Sequence, residues 1–224
     1  MASKAYDGPY VSRGGEKLRG ALDAFQLDVT GVRAIDVGAS TGGFTDCLLQ
    51  AGAAQVTALD VAYGQLAWTL RQDPRVIVRE RTNYRTVDLI EIGAPFSLVV
   101  ADLSFIGLTR LLERFRRTVT DDGNVLLLVK PQFEADRASV PTGGVIRDAG
   151  VHRTVLRGLG AAARASGLAI AGWTYSPIRG AKGNIEFWLH ATGPKGAAGR
   201  AAASATGACG TIEDVVAAAH KELR

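Results

Sequence analysis

The chain is organised by five short apolar runs, four of which end in a charged residue. They span residues 32–37, 55–60, 76–80, 96–102 and 124–130, with helical patterns over 42–50, 65–72 and 108–118. Strand-length runs alternating with helices predict a parallel sheet covered by helices on both faces. Such sheets bind ligands in the crevice at the carboxyl ends of their strands. Asp60, Glu80, Asp102 and Lys130 end four of the runs and are therefore expected to face that crevice.

The rest of the chain arranges itself around this frame. Residues 14–25 form an amphipathic pattern with Leu18, Leu22 and Phe25 on one face. Residues 149–166 read as a helix, with Arg147, Asp148 and His152 at its start in a capping rather than a catalytic role. Two late strands, 168–175 and 184–191, are joined by a Pro/Gly-containing turn and suggest a hairpin-like pair. Residues 192–210 are rich in Ala and Gly without an apolar period and read as a linker. A short terminal helix over 211–223 follows, with Thr211 as its cap and Asp214 in its first turn. This gives three expected parts: an N-terminal segment over 1–30, a catalytic domain over 31–191, and a linker with a short helix over 192–224.

The first run opens into Asp36-Val37-Gly38-Ala39-Ser40-Thr41-Gly42-Gly43, a glycine loop between strand and helix. That is the setting of a phosphate or nucleoside loop, but the spacing is not Gly-x-Gly-x-x-Gly. Asp36, two residues before the first glycine, would repel a pyrophosphate. It suits a cationic ligand, and S-adenosylmethionine carries an ammonium and a sulfonium. The small residues Gly38, Ala39, Gly42 and Gly43 would let the ligand approach the backbone. Asp60, at the end of the next run, could accept hydrogen bonds from both ribose hydroxyls.

Two further charges end adjacent runs: Asp102 in Ala101-Asp102-Leu103-Ser104-Phe105 and Lys130 in Val129-Lys130-Pro131-Gln132. A lysine beside a carboxylate stays protonated unless burial and a second cation lower its pKa enough for it to act as a base. Lys17, in Ser12-Arg13-Gly14-Gly15-Glu16-Lys17, could be that cation. Glu186 has apolar neighbours in Ile185 and Phe187-Trp188, so an acid there needs a partner. Surface ion pairing is the plain alternative for any one of the four.

Taken in order, several segments resemble the TlyA group of FtsJ-like methyltransferases, also called haemolysin-like rRNA methyltransferases. They are Tyr10-Val11-Ser12-Arg13-Gly14-Gly15-Glu16-Lys17-Leu18, the loop from Asp36 through Phe44 to Asp46, Glu80-Arg81-Thr82-Asn83, Asp102-Leu103-Ser104-Phe105-Ile106, Val129-Lys130-Pro131-Gln132-Phe133-Glu134 and Gly183-Asn184-Ile185-Glu186-Phe187. The resemblance covers about residues 10–190. It implies a doubly wound, Rossmann-like α/β sheet, mostly parallel with one antiparallel strand. It implies S-adenosylmethionine as cofactor, held by Asp36, Gly38, Ala39, Ser40, Gly42, Gly43, Phe44, Asp60, Asn83 and Asp102, with Asn83 near the adenine. It also implies 2′-O-methylation of ribosomal RNA by a Lys-Asp-Lys-Glu tetrad at Lys17, Asp102, Lys130 and Glu186. Members of this group usually begin with a small S4-type RNA-binding domain. This sequence starts almost at the Tyr10 motif, so the expectation is a catalytic domain without it, with a protein partner or oligomer as a possible replacement.

Other classes fare less well. A methyltransferase acting on a small-molecule hydroxyl remains the alternative, and a non-enzymatic haemolysin has no need of a full tetrad. No apolar run reaches the roughly 18 residues of a membrane span. Cys47 and Cys209 form no Cys-x-x-Cys pair, and His152, His190 and His220 are too scattered for a metal triad, so a cytoplasmic protein with reduced thiols and no metal is expected. The net charge of +4 suits a polyanionic partner such as ribosomal RNA or a ribosomal subunit, reached through Lys4, Arg13, Arg19 and the helix carrying Arg110, Arg114, Arg116 and Arg117. A solvated face is the plainer reading of that helix, because Glu113 interrupts it. Trp68, Trp173 and Trp188 read as core residues, although Tyr63 and Trp68 flank the cofactor region and could touch adenosine.

Overall fold

A computed structural model describes residues 6–196 and 210–223. Most of the expected linker lies outside the described residues. Seven strands form one sheet: β1 (Arg33–Val37), β2 (Gln55–Leu59), β3 (Val76–Arg79), β4 (Phe96–Ala101), β5 (Val119–Val129), β6 (Ala169–Tyr175) and β7 (Phe187–Thr192), in the order β3-β2-β1-β4-β5-β7-β6. β1 runs parallel to β2 on one side and to β4 on the other. The strand order reverses there, which opens the crevice at the carboxyl edge. β7 is antiparallel to both β5 and β6. Because β7 runs backwards, its first residues lie at the same edge as the last residues of β4 and β5.

Helices cover both faces. On one lie α1 (Gly14–Ala24), α2 (Gly43–Gln50) and α3 (Trp68–Gln72), burying Leu18, Leu22, Phe44, Leu48 and Leu70. On the other lie α4 (Leu112–Thr118), α6 (Ala149–Ala165) and α7 (Ile212–Glu222), burying Phe115, Leu156, Leu159 and Val216. One four-residue helix, α5 (Pro131–Glu134), follows Lys130 directly and begins at a proline, which suits a first helical turn. Asp148 caps α6 by accepting the amides of Gly150 and Val151. Thr211 and Asp214 close a reciprocal capping box on α7.

The strand expected over 184–191 begins only at Phe187, the helix expected over 108–118 opens as a 3-10 turn before Leu112, and two further elements differ from the sequence reading. β5 starts at Val119, not 124, because Thr120-Asp121-Asp122-Gly123, polar enough to read as a turn, is absorbed as an irregularity in the pairing with β4. The second helix begins only at Trp68, because residues 60–67 are tied down as a loop. Ala62 donates its amide to Asp60 (2.8 Å), and Ala67 donates its own to the Thr41 carbonyl (3.1 Å). Trp68 is 73% exposed and is not a core residue, whereas Trp173 and Trp188 are buried as expected.

α7 docks through a histidine pair. His152 is fully buried, with Nδ1 2.9 Å from Nε2 of His220 and its ring against Phe187. Burial, then the neighbouring His220, lowers the His152 pKa to about 4. The unfolded chain takes this proton near the ordinary histidine value of about 6.5. The contribution to stability is therefore full above that pH and is lost as pH falls towards about 4. Asp36 acts in the opposite direction, since its carboxyl is raised to about 7. The informative quantity is thus the difference between proteins. Melting temperature should fall more steeply in the native protein than in His152→Asn between those limits, and parallel slopes would contradict this.

Candidate active site

The first half of the glycine loop is bonded to the end of β2. The amides of Gly38 and Ala39 donate to the Leu59 carbonyl at 2.9 and 3.1 Å. The Ser40 amide donates to Asp60 Oδ2 at 2.7 Å. Three consecutive donors are thus spent on the end of β2, and none forms the nest that phosphate loops present. Carboxylates gather here instead. Asp36 is fully buried and accepts the amide and hydroxyl of Thr45 at 3.0 and 2.7 Å. Burial, opposed by Thr45 and reinforced by Asp102 and Asp60, raises its carboxyl to about 7. An acidic surround in which the amides of Gly38, Ala39 and Ser40 are already bonded fits a cationic nucleoside such as S-adenosylmethionine better than a nucleotide phosphate. Asp36 holds the start of α2 and lies beneath the cleft surface, not on it.

Two cavities of about 200 and 210 Å³ meet at Gly38. One is largely apolar, walled by Leu59, Val61, Leu103 and Ile106 with Asp60 and Asn83 on its rim. The other is more polar. It takes in Ala39, Ser40, Gly43, Phe44 and Asp102, together with Ser12, Arg13 and Lys17 from the N-terminal segment. Gly38 has φ +88°, and an added Cβ would lie 2.5 Å from the Asp102 carbonyl oxygen. The smallness of Gly42 and Gly43 serves packing: a Cβ on Gly42 would strike Leu70, and one on Gly43 would strike Ser12. Neither Asp36 nor Gly42 lines either cavity.

Four charged side chains converge beside the polar cavity. Lys17, from α1, pairs with Glu186 at 2.7 Å, and Lys130, after β5, pairs with Asp102, after β4. Lys17 and Lys130 are each only 11% exposed and Glu186 only 3%. Val129 pairs with Phe187, so Lys130 and Glu186 each lie one step beyond a matched position on adjacent strands. Burial raises the Glu186 carboxyl, Lys17 pulls it back, and the charges of Asp102 and Lys130 are also felt there. The two ion pairs thus form one electrostatic unit. Removing one partner of a buried pair leaves the other charge uncompensated, at about 3–5 kcal/mol. Lys17→Met should lose stability on that scale in denaturant titration, and Lys17→Met/Glu186→Gln should recover most of it. Equal losses in the two variants would contradict the coupling.

Sequence reasoning assigned no role to several residues at this site. Lys130 Nζ donates to Ser104 Oγ at 3.0 Å. Glu134 accepts the Leu108 amide and the Thr109 hydroxyl, fixing the far end of the same loop. Between them Phe105 is 92% exposed at φ +66°, tilted against Phe133 at 5.3 Å. In the sequence Phe105 stood out only as a member of the segment Asp102-Leu103-Ser104-Phe105-Ile106, with nothing to show its exposure or its backbone conformation. Two arginines of the basic helix are engaged by the protein itself. Arg114 donates to the Val87 carbonyl over the ring of Tyr84, and Arg116 pairs with Asp121. Tyr63 and Trp68 line neither cavity, and Arg81 lies over the Tyr63 ring at 4.2 Å. Among the described residues no group of three potential metal ligands occurs, and no helix is long and apolar enough to cross a membrane.

Comparison with known proteins gives a consistent match. The profile of the FtsJ-like methyltransferases matches residues 10–192. The 16S/23S rRNA (cytidine-2′-O)-methyltransferase TlyA of Mycobacterium tuberculosis is 48% identical over 180 residues, covering 80% of this chain and 67% of that protein. A Streptococcus thermophilus structure bearing a hemolysin name superposes with a TM-score of 0.85 at 40% identity, covering 98% of this chain and 77% of the other. Aeropyrum pernix fibrillarin, solved with S-adenosylmethionine bound, shares the fold at a TM-score of 0.55 and 15% identity, over 80% of this chain and 76% of that one.

Proposed function

We propose that this chain, which belongs to the FtsJ-like methyltransferase family, methylates a ribose 2′-hydroxyl of ribosomal RNA. The observation that carries the reading is the pair of coupled ion pairs, Lys17–Glu186 and Lys130–Asp102, at the carboxyl edge beside the polar cavity. The RNA side rests on the named activity of the M. tuberculosis relative. Bound S-adenosylmethionine supplies an electrophilic methyl group on a sulfonium.

The chain's own residues would then divide the work. Asp60 would accept from the cofactor ribose, and the apolar cavity that Asn83 also lines would receive the adenine. Gly38, Ala39, Ser40, Gly43 and Phe44 shape the passage between the cavities. Asp36 and Gly42 act from below, by fixing the start of α2. Lys130 would hold the 2′-hydroxyl, taking its proton as the neutral amine or steering it as a fixed ammonium, with Ser104 and Asp102 aiming Nζ. Lys17 and Glu186 set the field around it. The open face of Phe105 suits an unstacked nucleobase, because base–aromatic stacking tolerates any base.

The test offers one labelled cofactor to three acceptors: unmodified ribosomes, free ribosomal RNA and a metabolite extract. Label in RNA supports the reading. Label confined to small molecules would replace it with a small-molecule methyltransferase, and no label anywhere would remove the enzymatic reading.

A further inference from the structure

The residues matched by the family profile end at 192, and α7 lies beyond them. α7 packs against α6 and β6 and closes one side of a third cavity, of about 240 Å³, which shares no lining residue with the two beside Gly38. Three nitrogen-bearing side chains line it: Arg147, Arg179 and His220. Ile146, Ile185 and Leu223 supply an apolar floor. Among the described residues no carboxylate lines it. The neighbouring acids are engaged elsewhere: Asp148 with the amides of Gly150 and Val151, and Glu222 with the Tyr175 hydroxyl. Gly183, also in the lining, has no heavy atom within 4 Å of where a Cβ would be, so no side chain fills the space beside it.

We propose that this cavity is a binding site for a phosphate group. Two guanidiniums present planar forks that match phosphate oxygens, and charge-assisted bonds of this kind are about twice as strong as neutral ones. Arg179 is held by its own loop, donating from Nη1 to the Gly183 carbonyl at 3.2 Å. Its carbonyl in turn accepts Arg13 Nη2 at 2.7 Å, and Arg13 lines the polar cofactor cavity. The same connection, residues 176–186, leads directly into Glu186. A phosphate on Arg179 therefore braces the segment from which one of the four clustered charges emerges. Two sources present this chemistry: a backbone phosphate of bound RNA, or a free phosphorylated small molecule.

The experiment titrates sodium phosphate into the isotope-labelled protein at constant pH and ionic strength, with sodium chloride as reference. Saturable amide shifts are expected at Gly183, Ile185 and His220 and not at Gly38 or Ser40. Arg147→Gln and, separately, Arg179→Gln should each weaken phosphate binding about tenfold or more. A ribosomal RNA transcript separates the sources. If Arg147→Gln weakens RNA binding and lowers its salt slope by about one, the phosphate belongs to the RNA backbone. If RNA binding is unchanged while phosphate binding is lost, the ligand is a free phosphorylated molecule. Shifts that chloride reproduces, or that persist in both variants, would overturn the site. RNA labelling by the native protein is scored separately, so failure here leaves the proposed reaction standing.

Discussion

Lys130→Ala should leave cofactor affinity unchanged and lower the rate of methyl transfer by about 10²–10⁴-fold, the range that a positioned acid or base contributes. The ammonium lies between Asp102 and Ser104, is largely shielded from water, and emerges where β5 gives way to the proline-led turn of α5. It lines neither cofactor cavity, so its loss should not be felt in binding. Lys130→Arg refines the result. Arginine keeps the charge and the partner Asp102 but does not give up its proton in a protein. If Lys130 accepts the proton, the arginine variant should be nearly as inactive as alanine. If Lys130 acts only as a fixed charge, arginine should restore much of the rate. Rapid-quench measurement with saturating cofactor distinguishes the two, and a variant that loses cofactor binding yet transfers normally would refute the assigned role.

Gly38→Ala should weaken cofactor binding by about 10²-fold or more and destabilise the fold by about 2–5 kcal/mol. The estimate joins a left-handed backbone cost of about 1–2 kcal/mol to an overpacking cost of about 1–3 kcal/mol. The collision is with backbone, the Asp102 carbonyl at 2.5 Å, so no side chain can swing away. Relief requires β1 and β4 to part at the point where the two cavities meet. Gly31→Ala is the control, since Gly31 has φ +72° and nothing within 4 Å of an added Cβ. It should cost only the conformational part and leave cofactor affinity intact. Calorimetric titration with S-adenosylmethionine, beside denaturant melts of both variants, separates the collision from the strain. Equal effects from the two alanines would contradict it.

The frame was legible because each strand of a doubly wound sheet is a short apolar run with its chemistry at its end. Asp60, Asp102 and Lys130 announced themselves by interrupting such runs, and Glu186 by lying among apolar neighbours. The resemblance supplied the link between Lys17 and Glu186, which are 169 positions apart and meet only because β7 runs backwards. Local pattern could not reveal which carboxylates face the cleft. Asp36 and Asp60 look alike in sequence, yet one is sealed against Thr45 and the other borders the apolar cavity. It could not show that Gly42 is small for Leu70 rather than for a ligand. Nor could it show that Trp68 faces outward, since a tryptophan in an apolar stretch reads as core whichever way the helix turns.

The central claim is transfer to a ribose oxygen. Its most direct measurement is nucleoside analysis of RNA methylated by the native protein with labelled S-adenosylmethionine. The RNA is digested to nucleosides, which are separated by chromatography. The account predicts label in a 2′-O-methylnucleoside, with an alkali-resistant linkage at the modified position in the intact RNA, and an initial rate of labelling about 10²–10⁴-fold lower after Lys130→Ala. Label in a base-methylated nucleoside, or a linkage that alkali cleaves normally, would contradict it.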